Sequence, residues 1–415
     1  MGLGAVSGRD VARRSGGFVS RELRILIAAF GDPGHTFPGV ALGRALQERG
    51  HRVVFETWEK WRDVLDEAGI EFHAAEEYRV FAPHEGDGPS AGEAAVALAP
   101  LLEELRPDVV VNDILTLAPA LAAEKAGLPW ATLIPHVYPE HEAGLPFFAF
   151  GGARLPRTAL GRWLWTAPVP MLEAGLRQGR DELNGERGKA GLAPTERFHG
   201  GTSEGLAMVA TYPQLEYPRR WPGHVHVTGP MEFETAYEDV ELPDGDGPLV
   251  LVAPSTAQDP ECRLVRVALE ALADEPVRVL ATTNGHMPRA GIEVPANARL
   301  YGWLSYSQAM AEADLVVCHG GHGTVARALG AGVPVLCCPA VGDMAENGAR
   351  VGWAGVGLAL PWRLLGRGTL RVAVRRLLED RSSCERAREI AQWDEAHDGA
   401  AEGAELVEAF GLDLS

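Results

Sequence analysis

A glycine-rich segment in the second half of the chain has the composition of an anion-binding loop. It reads Cys318-His-Gly-Gly-His-Gly-Thr-Val-Ala326 and follows a short apolar run. If the run is a strand and a helix follows the glycines, bare backbone N–H groups and the positive end of the helix dipole face the same point. His319 and Thr324 add side-chain donors. The segment therefore predicts a diphosphate site. The alternative is that its glycines serve only to allow a tight turn.

A histidine in the first half of the chain stands where it could act as a base. His35 lies within Gly31-Asp-Pro-Gly-His-Thr-Phe-Pro38, in a loop before a helix predicted from about Pro38 to Arg49. Imidazole exchanges a proton near neutral pH, and a carboxylate on its far ring nitrogen would orient it. Asp113, just after another apolar run, could be that carboxylate. The alternatives are a loop histidine with a satisfied side chain and an aspartate that caps the following helix.

Two hydroxyl side chains follow a third apolar run. Ser255 and Thr256 come directly after Leu249-Val-Leu-Val-Ala253. They could bind the same anion as the glycine-rich segment. Serine and threonine also cap turns and helices, so this signal does not stand by itself.

Apolar runs of strand length alternate with helical segments along most of the chain. The runs are β-branched and apolar on both faces, which is typical of parallel strands covered by helices. They begin at Arg24, Val53, Val109, Ala131, Ala207, Val225, Leu249, Val277, Arg299, Leu315 and Val335. We therefore expect an α/β protein with parallel sheets and helices on both faces.

The alternation stops at an acidic, proline-bounded stretch and then restarts, which predicts two α/β domains in tandem. The expected parts are a disordered leader (1–20), a first α/β domain (21–230), a linker (231–247), a second α/β domain (248–380) and a helical tail packing back on the first domain (381–415). Open parallel sheets bind ligands at the carboxyl ends of their strands, so the cleft between the two sheets is the expected active site.

Composition excludes several classes of function. The chain has 415 residues, with 38 Lys and Arg against 57 Asp and Glu, so its net charge is −19 and disfavours nucleic acid and anionic lipid as partners. No run reaches the roughly 18 apolar residues of a membrane span, so we expect no stable membrane association. Five cysteines, all after Leu251, suggest a reducing compartment and a cytoplasmic location. The chain lacks the Gly-x-Gly-x-x-Gly fingerprint at its first loop, which disfavours a dehydrogenase.

In their order and spacing, these motifs resemble those of the family 1 glycosyltransferases with the GT-B fold, especially the bacterial enzymes that glycosylate macrolides and other natural products. The resemblance extends from about Arg24 to Arg350. It rests on the Gly-His-x-x-Pro loop ending at Pro38, on Asp113, and on a nucleotide-sugar box. That box reads Gly302-Trp-Leu-Ser-Tyr306, His319-Gly-Gly-His-Gly-Thr324, Gly332-Val-Pro-Val335 and Gly342-Asp-Met-Ala-Glu-Asn347. The resemblance implies two facing Rossmann-like domains and the transfer of a hexose-type sugar. It also implies that the first domain (21–230) binds the acceptor and that the second (248–380) binds the nucleotide sugar.

The resemblance also implies roles for individual residues. His35 and Asp113 match the base and its partner, Trp303 matches a ring that stacks on the nucleobase, and His319 matches a pyrophosphate ligand. The remaining residues assigned to the nucleotide and diphosphate are Leu304, Ser255, Thr256, Gly320, Gly321, Gly323 and Thr324. The residues assigned to the donor sugar are Asp343, Met344 and Asn347.

Two departures from the family pattern concern the donor. Relatives that transfer glucose have Asp-Gln where this chain has Asp343-Met344, and the missing amide favours a sugar with fewer hydroxyls. Many relatives hold the ribose hydroxyls with a glutamate where this chain has Arg327. A carboxylate suits a ribose diol, so its replacement favours TDP, whose sugar lacks the 2′-hydroxyl, over UDP. We therefore expect a TDP-deoxysugar as co-substrate, with no cofactor and no metal.

The expected reaction is an inverting transfer in which His35 takes the proton of an acceptor hydroxyl and the diphosphate leaves into the glycine-rich loop. Aromatic residues in the middle of the chain suggest an apolar acceptor such as a polyketide or macrolide. The acceptor candidates are Tyr138, Phe147, Phe148 and Trp163. The expected partners are thus two small molecules, with a homodimer as a further possibility.

Alternative functions stay open at this point. One is a GT-B enzyme with another acceptor, either a lipid-linked precursor or a nitrogen or carbon nucleophile. Another is a nucleotide-sugar 2-epimerase on a related fold. A third is a non-catalytic protein that binds sugar nucleotides, which the presence of His35 and Asp113 disfavours. The exact aglycone and sugar, and any need for an activator protein, do not follow from the sequence.

Overall fold

The structure is a computed structural model that describes residues 21–75, 88–148, 151–235, 240–256, 258–340 and 342–413. The predicted leader, 1–20, lies outside these residues. Two parallel sheets, each covered by helices on both faces, account for most of the described chain.

The first sheet has seven parallel strands within the described residues, in the order β3-β2-β1-β4-β5-β6-β7. In chain order they are β1 (Arg24–Ala28), β2 (Arg52–Thr57), β3 (Glu71–Ala74), β4 (Val109–Asp113), β5 (Trp130–Ile134), β6 (Ala207–Val209) and β7 (Val225–Val227). The central strands β1 and β4 are apolar except at Arg24, Asn112 and Asp113, and all their residues but Arg24 are buried, as is typical of parallel strands between helices.

Seven helices accompany this sheet in the described chain. They are α1 (Pro33–Glu48), α2 (Arg62–Glu67), α3 (Ala91–Ala97), α4 (Ala99–Leu105), α5 (Leu117–Ala126), α6 (Ala159–Leu164) and α7 (Val169–Lys189). Short 3-10 turns cover Glu59–Trp61 and Pro213–Leu215.

The second sheet has six parallel strands within the described residues, in the order β10-β9-β8-β11-β12-β13. The strands are β8 (Leu249–Ala253), β9 (Arg278–Thr282), β10 (Ala298–Tyr301), β11 (Leu315–Cys318), β12 (Val335–Cys337) and β13 (Gly357–Ala359). The helices are α8 (Arg263–Leu272), α9 (Tyr306–Ala311), α10 (His322–Gly330), α11 (Asp343–Ala354) and α12 (Arg367–Glu379), with a 3-10 turn at Trp362–Leu364.

The last two helices divide between the domains. Helix α13 (Arg381–Glu395) packs on α10 of the second domain, whereas α14 (Gly399–Asp413) packs on α1 of the first. The guanidinium of Arg49, just after α1, donates to Glu408 on α14 through Nε at 2.8 Å. The chain therefore crosses between the domains once at the linker and again between α13 and α14.

The structure corrects one boundary close to the predicted base. Helix α1 begins at Pro33, five residues before the predicted start, so His35 lies in its first turn and not in a loop. Asp32 is the N-cap, and its carbonyl accepts from the N–H groups of His35 and Thr36. Pro33 suits the first helical position because its φ is already helical, and Pro38 forfeits only one bond near the helix start.

Two edge strands are absent from the sequence prediction. Strand β3 has a mixed polar sequence, and β13 has three residues. Neither produces an apolar run long enough to be recognised. No helix among the described residues is both long and apolar enough to cross a bilayer.

Candidate active site

His35 and Asp113 form a hydrogen-bonded pair at the carboxyl edge of the first sheet. His35 Nδ1 lies 2.7 Å from Asp113 Oδ1, and Asp113 is 1% exposed. The other carboxylate oxygen accepts from Leu115 N and from Thr116 Oγ1, both at 3.2 Å. Asp113 thus orients a histidine and stabilises the turn after its strand. It does not cap the following helix, because the N-cap of α5 is Thr116. The Asp113 side chain is fixed from two directions.

The surroundings of His35 set its basicity. Burial by itself would lower the pKa of the imidazole, but the charge and hydrogen bond of Asp113, together with Asp32 and Asp343, outweigh it. The pKa therefore lies above the ordinary value of 6.5. Because Nδ1 faces Asp113, Nε2 is the nitrogen left to take a proton from a ligand.

A second histidine, which the sequence analysis missed, lies beside the pair. His136 follows β5, and its ring centroid is 6.2 Å from that of His35, edge to face. Its Nδ1 is 2.8 Å from the carbonyl of Val137, and since a carbonyl only accepts, Nδ1 carries the hydrogen and Nε2 is an acceptor. Burial and the charge of His35 lower the pKa of His136. Its position just after a strand, at the same sheet edge as Asp113, is the signal that could have found it.

The glycine-rich segment folds as predicted, from the end of β11 into the start of α10. Gly321 is the N-cap of α10, so the first N–H groups of the helix, from His322 to Thr324, have no partner within it. Gly320 has φ +90°, and a Cβ on it would lie 2.8 Å from the carbonyl of Met344. The loop therefore needs glycine there and presents N–H groups at its surface.

His319 lines this loop. Its Nδ1 lies 3.4 Å from the carbonyl of Ala253 at the end of β8. Burial lowers the pKa of the ring, and the carbonyl contact and Asp343 act in the opposite direction. Asp343 also acts against burial at His35 and His136. The start of α11 in the second domain thus faces the His35 pair of the first domain across the cleft.

Trp303 is half-exposed, and its ring lies close to Gly285. A Cβ at Gly285, which has φ +79°, would come 2.6 Å from the tryptophan ring. The glycine therefore leaves room for the indole, and 51% of the residue stays exposed. Leu304, the next residue, is buried and belongs to the apolar core beneath.

The two hydroxyl residues differ. Ser255 is buried, its Oγ accepts from Gln258 N at 3.0 Å, and its carbonyl receives His286 Nε2 at 2.9 Å. Thr256 is exposed. Ser255 thus holds the turn, as the alternative interpretation had it, and Thr256 is the hydroxyl at the surface.

The residues assigned to the donor sugar also divide. Asp343 and Met344 are partly exposed at the start of α11. Asn347 is 2% exposed, and its Nδ2 donates to the carbonyl of Gly320 at 2.9 Å while its Oδ1 faces His322 Nδ1 at 3.3 Å. This corrects the assignment of Asn347, which holds the glycine-rich loop from behind and does not present its amide to a sugar.

Two of the four acceptor candidates are also buried side chains. Tyr138 is 2% exposed and packs on Trp221, and Phe147 is 1% exposed between His141 and Trp165. Both belong to the core. Phe148 is partly exposed and stacks on His136, with ring centroids 5.5 Å apart. Trp163 on α6 is mostly exposed.

Arg327 on α10 faces the interdomain linker. Its guanidinium donates to the carbonyl of Phe233 and lies 3.9 Å from the carboxylate of Glu234. That carboxylate in turn accepts from Tyr306 N at 2.6 Å and from Ser305 Oγ and Ser307 N, both at 3.3 Å. Arg327 therefore binds the linker, and the carboxylate beside it is already engaged by the protein.

Comparisons with known proteins agree with this geometry. Residues 25–132 match the glycosyltransferase family 28 N-terminal domain, and residues 266–410 match the C-terminal domain described as erythromycin biosynthesis protein CIII-like. The chain is 28% identical to 4′-demethylrebeccamycin synthase of Lentzea aerocolonigenes, covering 93% of this chain and 99% of the relative. It is 29% identical to O-mycaminosyltylonolide 6-deoxyallosyltransferase of Streptomyces fradiae, covering 94% and 97%.

A solved structure shows the same fold. The glycosyltransferase VinC, in complex with dTDP, superimposes with a TM-score of 0.69 at 21% identity, over 94% of this chain and all of VinC. Two parallel α/β sheets that face each other across a shared cleft define the GT-B class. The chain is a glycosyltransferase with this fold, and the relatives named above are enzymes of natural-product glycosylation.

Proposed function

We propose that the protein transfers a deoxysugar from a TDP-sugar to a hydroxyl of an apolar natural product, with inversion at the anomeric carbon and without a metal. The observation that carries this proposal is the His35–Asp113 pair, held at 2.7 Å, with Asp343 at the start of α11 in the second domain close enough to act on His35. The pair can accept a proton, and the N-terminus of α10 in the second domain can receive an anion.

The reaction is a single displacement. The acceptor hydroxyl gives its proton to His35 Nε2 as its oxygen attacks the anomeric carbon, and the bond from that carbon to the diphosphate oxygen breaks. The imidazolium that forms is stabilised by Asp113. The diphosphate leaves toward the N–H groups of α10, whose dipole offsets its charge, so the cradle can do the work that a metal does elsewhere. Attack from the face opposite the leaving group inverts the configuration.

The preference for a TDP donor rests on Arg327 and Glu234. A ribose diol would need a carboxylate acceptor, and the carboxylate beside Arg327 already accepts from backbone N–H groups and Ser305. The binding of dTDP by the structural neighbour VinC supports the same preference. Met344 beside Asp343 favours a sugar with fewer hydroxyls, and one relative is named a 6-deoxyallosyltransferase.

We assign the acceptor to the surface formed by His136 and Phe148. The imidazole Nε2 of His136 offers an acceptor to a second polar group of the ligand, and the Phe148 ring offers an apolar face. The exposed Trp163 lies on α6, in the following part of the same domain. The described cysteines are all free, which supports a cytoplasmic site of action.

Calorimetric titration with TDP and with UDP tests this proposal. TDP should bind more tightly than UDP, equally well with magnesium or with EDTA, and His319→Ala should weaken TDP binding. Tighter binding of UDP would overturn the donor assignment, and a requirement for magnesium would overturn the metal-free cradle. If neither nucleotide binds, the donor site is wrong. The anomeric configuration of the product, read by NMR against that of the donor, tests inversion.

A further inference from the structure

His322, the first residue of α10, touches both domains. It is 8% exposed. Its Nε2 lies 3.3 Å from the carbonyl of Ala210, just after β6 in the first domain, and its Nδ1 lies 3.3 Å from Asn347 Oδ1 on α11. Asn347 in turn donates to the carbonyl of Gly320 in the glycine-rich loop. His322 is therefore the link between the loop of the donor domain and the sheet of the acceptor domain.

Both ring nitrogens of His322 face oxygen acceptors. The Ala210 oxygen is a carbonyl and can only accept. The Asn347 oxygen is fixed as the one facing Nδ1, because the amide NH₂ is needed for the Gly320 carbonyl. A neutral imidazole has one N–H and can satisfy only one of these oxygens, whereas an imidazolium satisfies both.

The surroundings keep His322 neutral when no anion is present. Burial and the charge of His136 lower its pKa to about 4, against the opposing effects of Asn347, Ala210 and Asp343. His136 approaches from the first domain and Asp343 from α11. The segment after β6 adds the Ala210 carbonyl but no charged residue before Glu216, which is paired with Arg350.

A diphosphate at the start of α10 would change this balance. It brings at least two negative charges to the helix end at which His322 lies, and a nearby anion favours the protonated form of a histidine. We propose that His322 is a positioning residue that takes up a proton when the diphosphate binds, and that its imidazolium then holds the donor loop to the acceptor domain. This inference rests on the proposed donor site.

The coupling works in both directions. If the diphosphate favours the protonated ring, the protonated ring favours the diphosphate by the same factor. The contact of His322 with the first domain is strongest when negative charge develops on the leaving diphosphate. This is the stage of the reaction at which the two domains must hold donor and acceptor together. His322 does not touch the reacting atoms and acts through Asn347 and Ala210.

Titration calorimetry of TDP at pH 7, in MOPS and in Tris buffer, measures the protons taken up on binding, because the two buffers differ in ionisation enthalpy and neither is a phosphate that competes for the site. The wild-type protein should take up protons. His322→Gln should take up measurably fewer, since glutamine cannot gain a charge. His319→Gln is the matched control, because His319 lines the same loop and could itself take up a proton when TDP binds. The uptake lost in this variant gives the contribution of His319 to the wild-type value. Ionisation of TDP itself is common to all three proteins.

Equal uptake by the wild-type protein and His322→Gln would overturn the inference. An absence of TDP binding to the wild-type protein would instead contradict the proposed donor site, so the two failures are distinct. If His322→Gln does not fold, Asn347→Ala serves in its place, because removing one of the two oxygens removes the need for a second ring proton. Its uptake should also fall, and unchanged uptake in that variant would equally contradict the inference.

Discussion

The ring of His319 occupies the space in which a side chain at Gly321 would begin. A Cβ on Gly321 would lie 2.2 Å from His319 Nε2 and 2.9 Å from its Cε1. No unstrained structure has atoms so close, so a side chain here must displace either the imidazole or the start of α10. Both belong to the proposed diphosphate cradle, which makes this glycine a direct test of the loop.

Gly321→Ala should therefore weaken TDP binding by about tenfold or more, which is roughly 1.4 kcal/mol or more, with little change in the acceptor KM. The measurement is titration calorimetry with TDP. Gly368→Ala is the matched control, because it lies near the start of α12 and its Cβ would meet no atom within 4 Å. If Gly321→Ala binds TDP as the wild-type protein does, the His319 ring is not part of the cradle.

The pH dependence of turnover tests the base. His35 is competent only when neutral, and its pKa lies above 6.5 because Asp113 outweighs burial. The value of kcat/KM should therefore rise with pH through a single ionisation above 6.5 and then level off. An activity that falls as the pH rises through this range would contradict the assignment of His35 as a base.

Asp113→Asn should move that ionisation to lower pH, because burial lowers the pKa of His35 and only the weaker effects of Asp32 and Asp343 would then oppose it. The plateau should also fall by about 10²-fold or more, because the imidazolium loses its counter-charge. Thr116→Val is the control, since it removes only the hydroxyl on the other carboxylate oxygen of Asp113. A plateau loss without a shift in the ionisation would give Asp113 a merely structural role.

Much of the fold follows from local pattern. The central strands are apolar on both faces, so β1, β4, β8 and β11 are recognisable without any tertiary information. The edge strands β3 and β13 owe their form to the neighbour with which they pair, and their own residues carry little signal. The start of α1 was misplaced because Pro38 resembles a first-turn proline, while Pro33 already fills that position.

The contact between His35 and Asp113 could be predicted from the sequence, because both residues lie at or just after the carboxyl ends of parallel strands of one sheet. His35 lies in the first turn of the helix that follows β1, and Asp113 is the last residue of the neighbouring strand β4, so their contact is a consequence of the sheet order. Whether a side chain is exposed to a ligand does not follow from the order of the strands. Asn347 and Phe147 have the residue types of ligand contacts, and only packing shows that their side chains are enclosed by protein. The signal for His136 is weaker, because its own segment resembles an ordinary loop and only its place just after β5 puts it at the sheet edge of Asp113.

Trp303 is expected to stack on the nucleobase through the exposed part of its ring. Trp303→Ala should weaken TDP binding by about 1–3 kcal/mol, the usual contribution of one base stacked on an aromatic ring. Trp303→Phe should retain most of the affinity, because the stacking surface remains. Calorimetry with TDP makes the comparison, and thermal unfolding should change little since the ring is half-exposed. Equal losses in both variants would argue for a packing role.

His136 is expected to act on the acceptor and not on the donor. His136→Phe keeps the stacking with Phe148 but removes the Nε2 acceptor, so the acceptor KM should rise several-fold while the affinity for TDP stays the same. Phe148→Leu is the companion variant, which removes the ring and keeps the imidazole. Steady-state kinetics with one acceptor at saturating donor gives the KM values. A change confined to TDP affinity would move His136 to the donor side of the cleft.

The buried pair between Arg350 on α11 and Glu216, after the 3-10 turn at Pro213–Leu215, should contribute more to stability than any exposed pair of the same length. Arg350 Nη1 lies 3.0 Å from Glu216 and also donates to the Leu215 carbonyl, and both side chains are almost fully buried. Arg350→Met leaves a buried carboxylate without its partner and should cost about 3–5 kcal/mol.

Arg52→Met is the matched control, because its 2.8 Å pair with Glu71 is half-exposed and worth at most about 1 kcal/mol. Urea unfolding of the two variants gives the comparison. Equal losses of unfolding free energy in the two variants would contradict a special contribution of the buried pair. If the double variant Arg350→Met, Glu216→Gln regains unfolding free energy, the cost lies in the unpaired charge of Glu216.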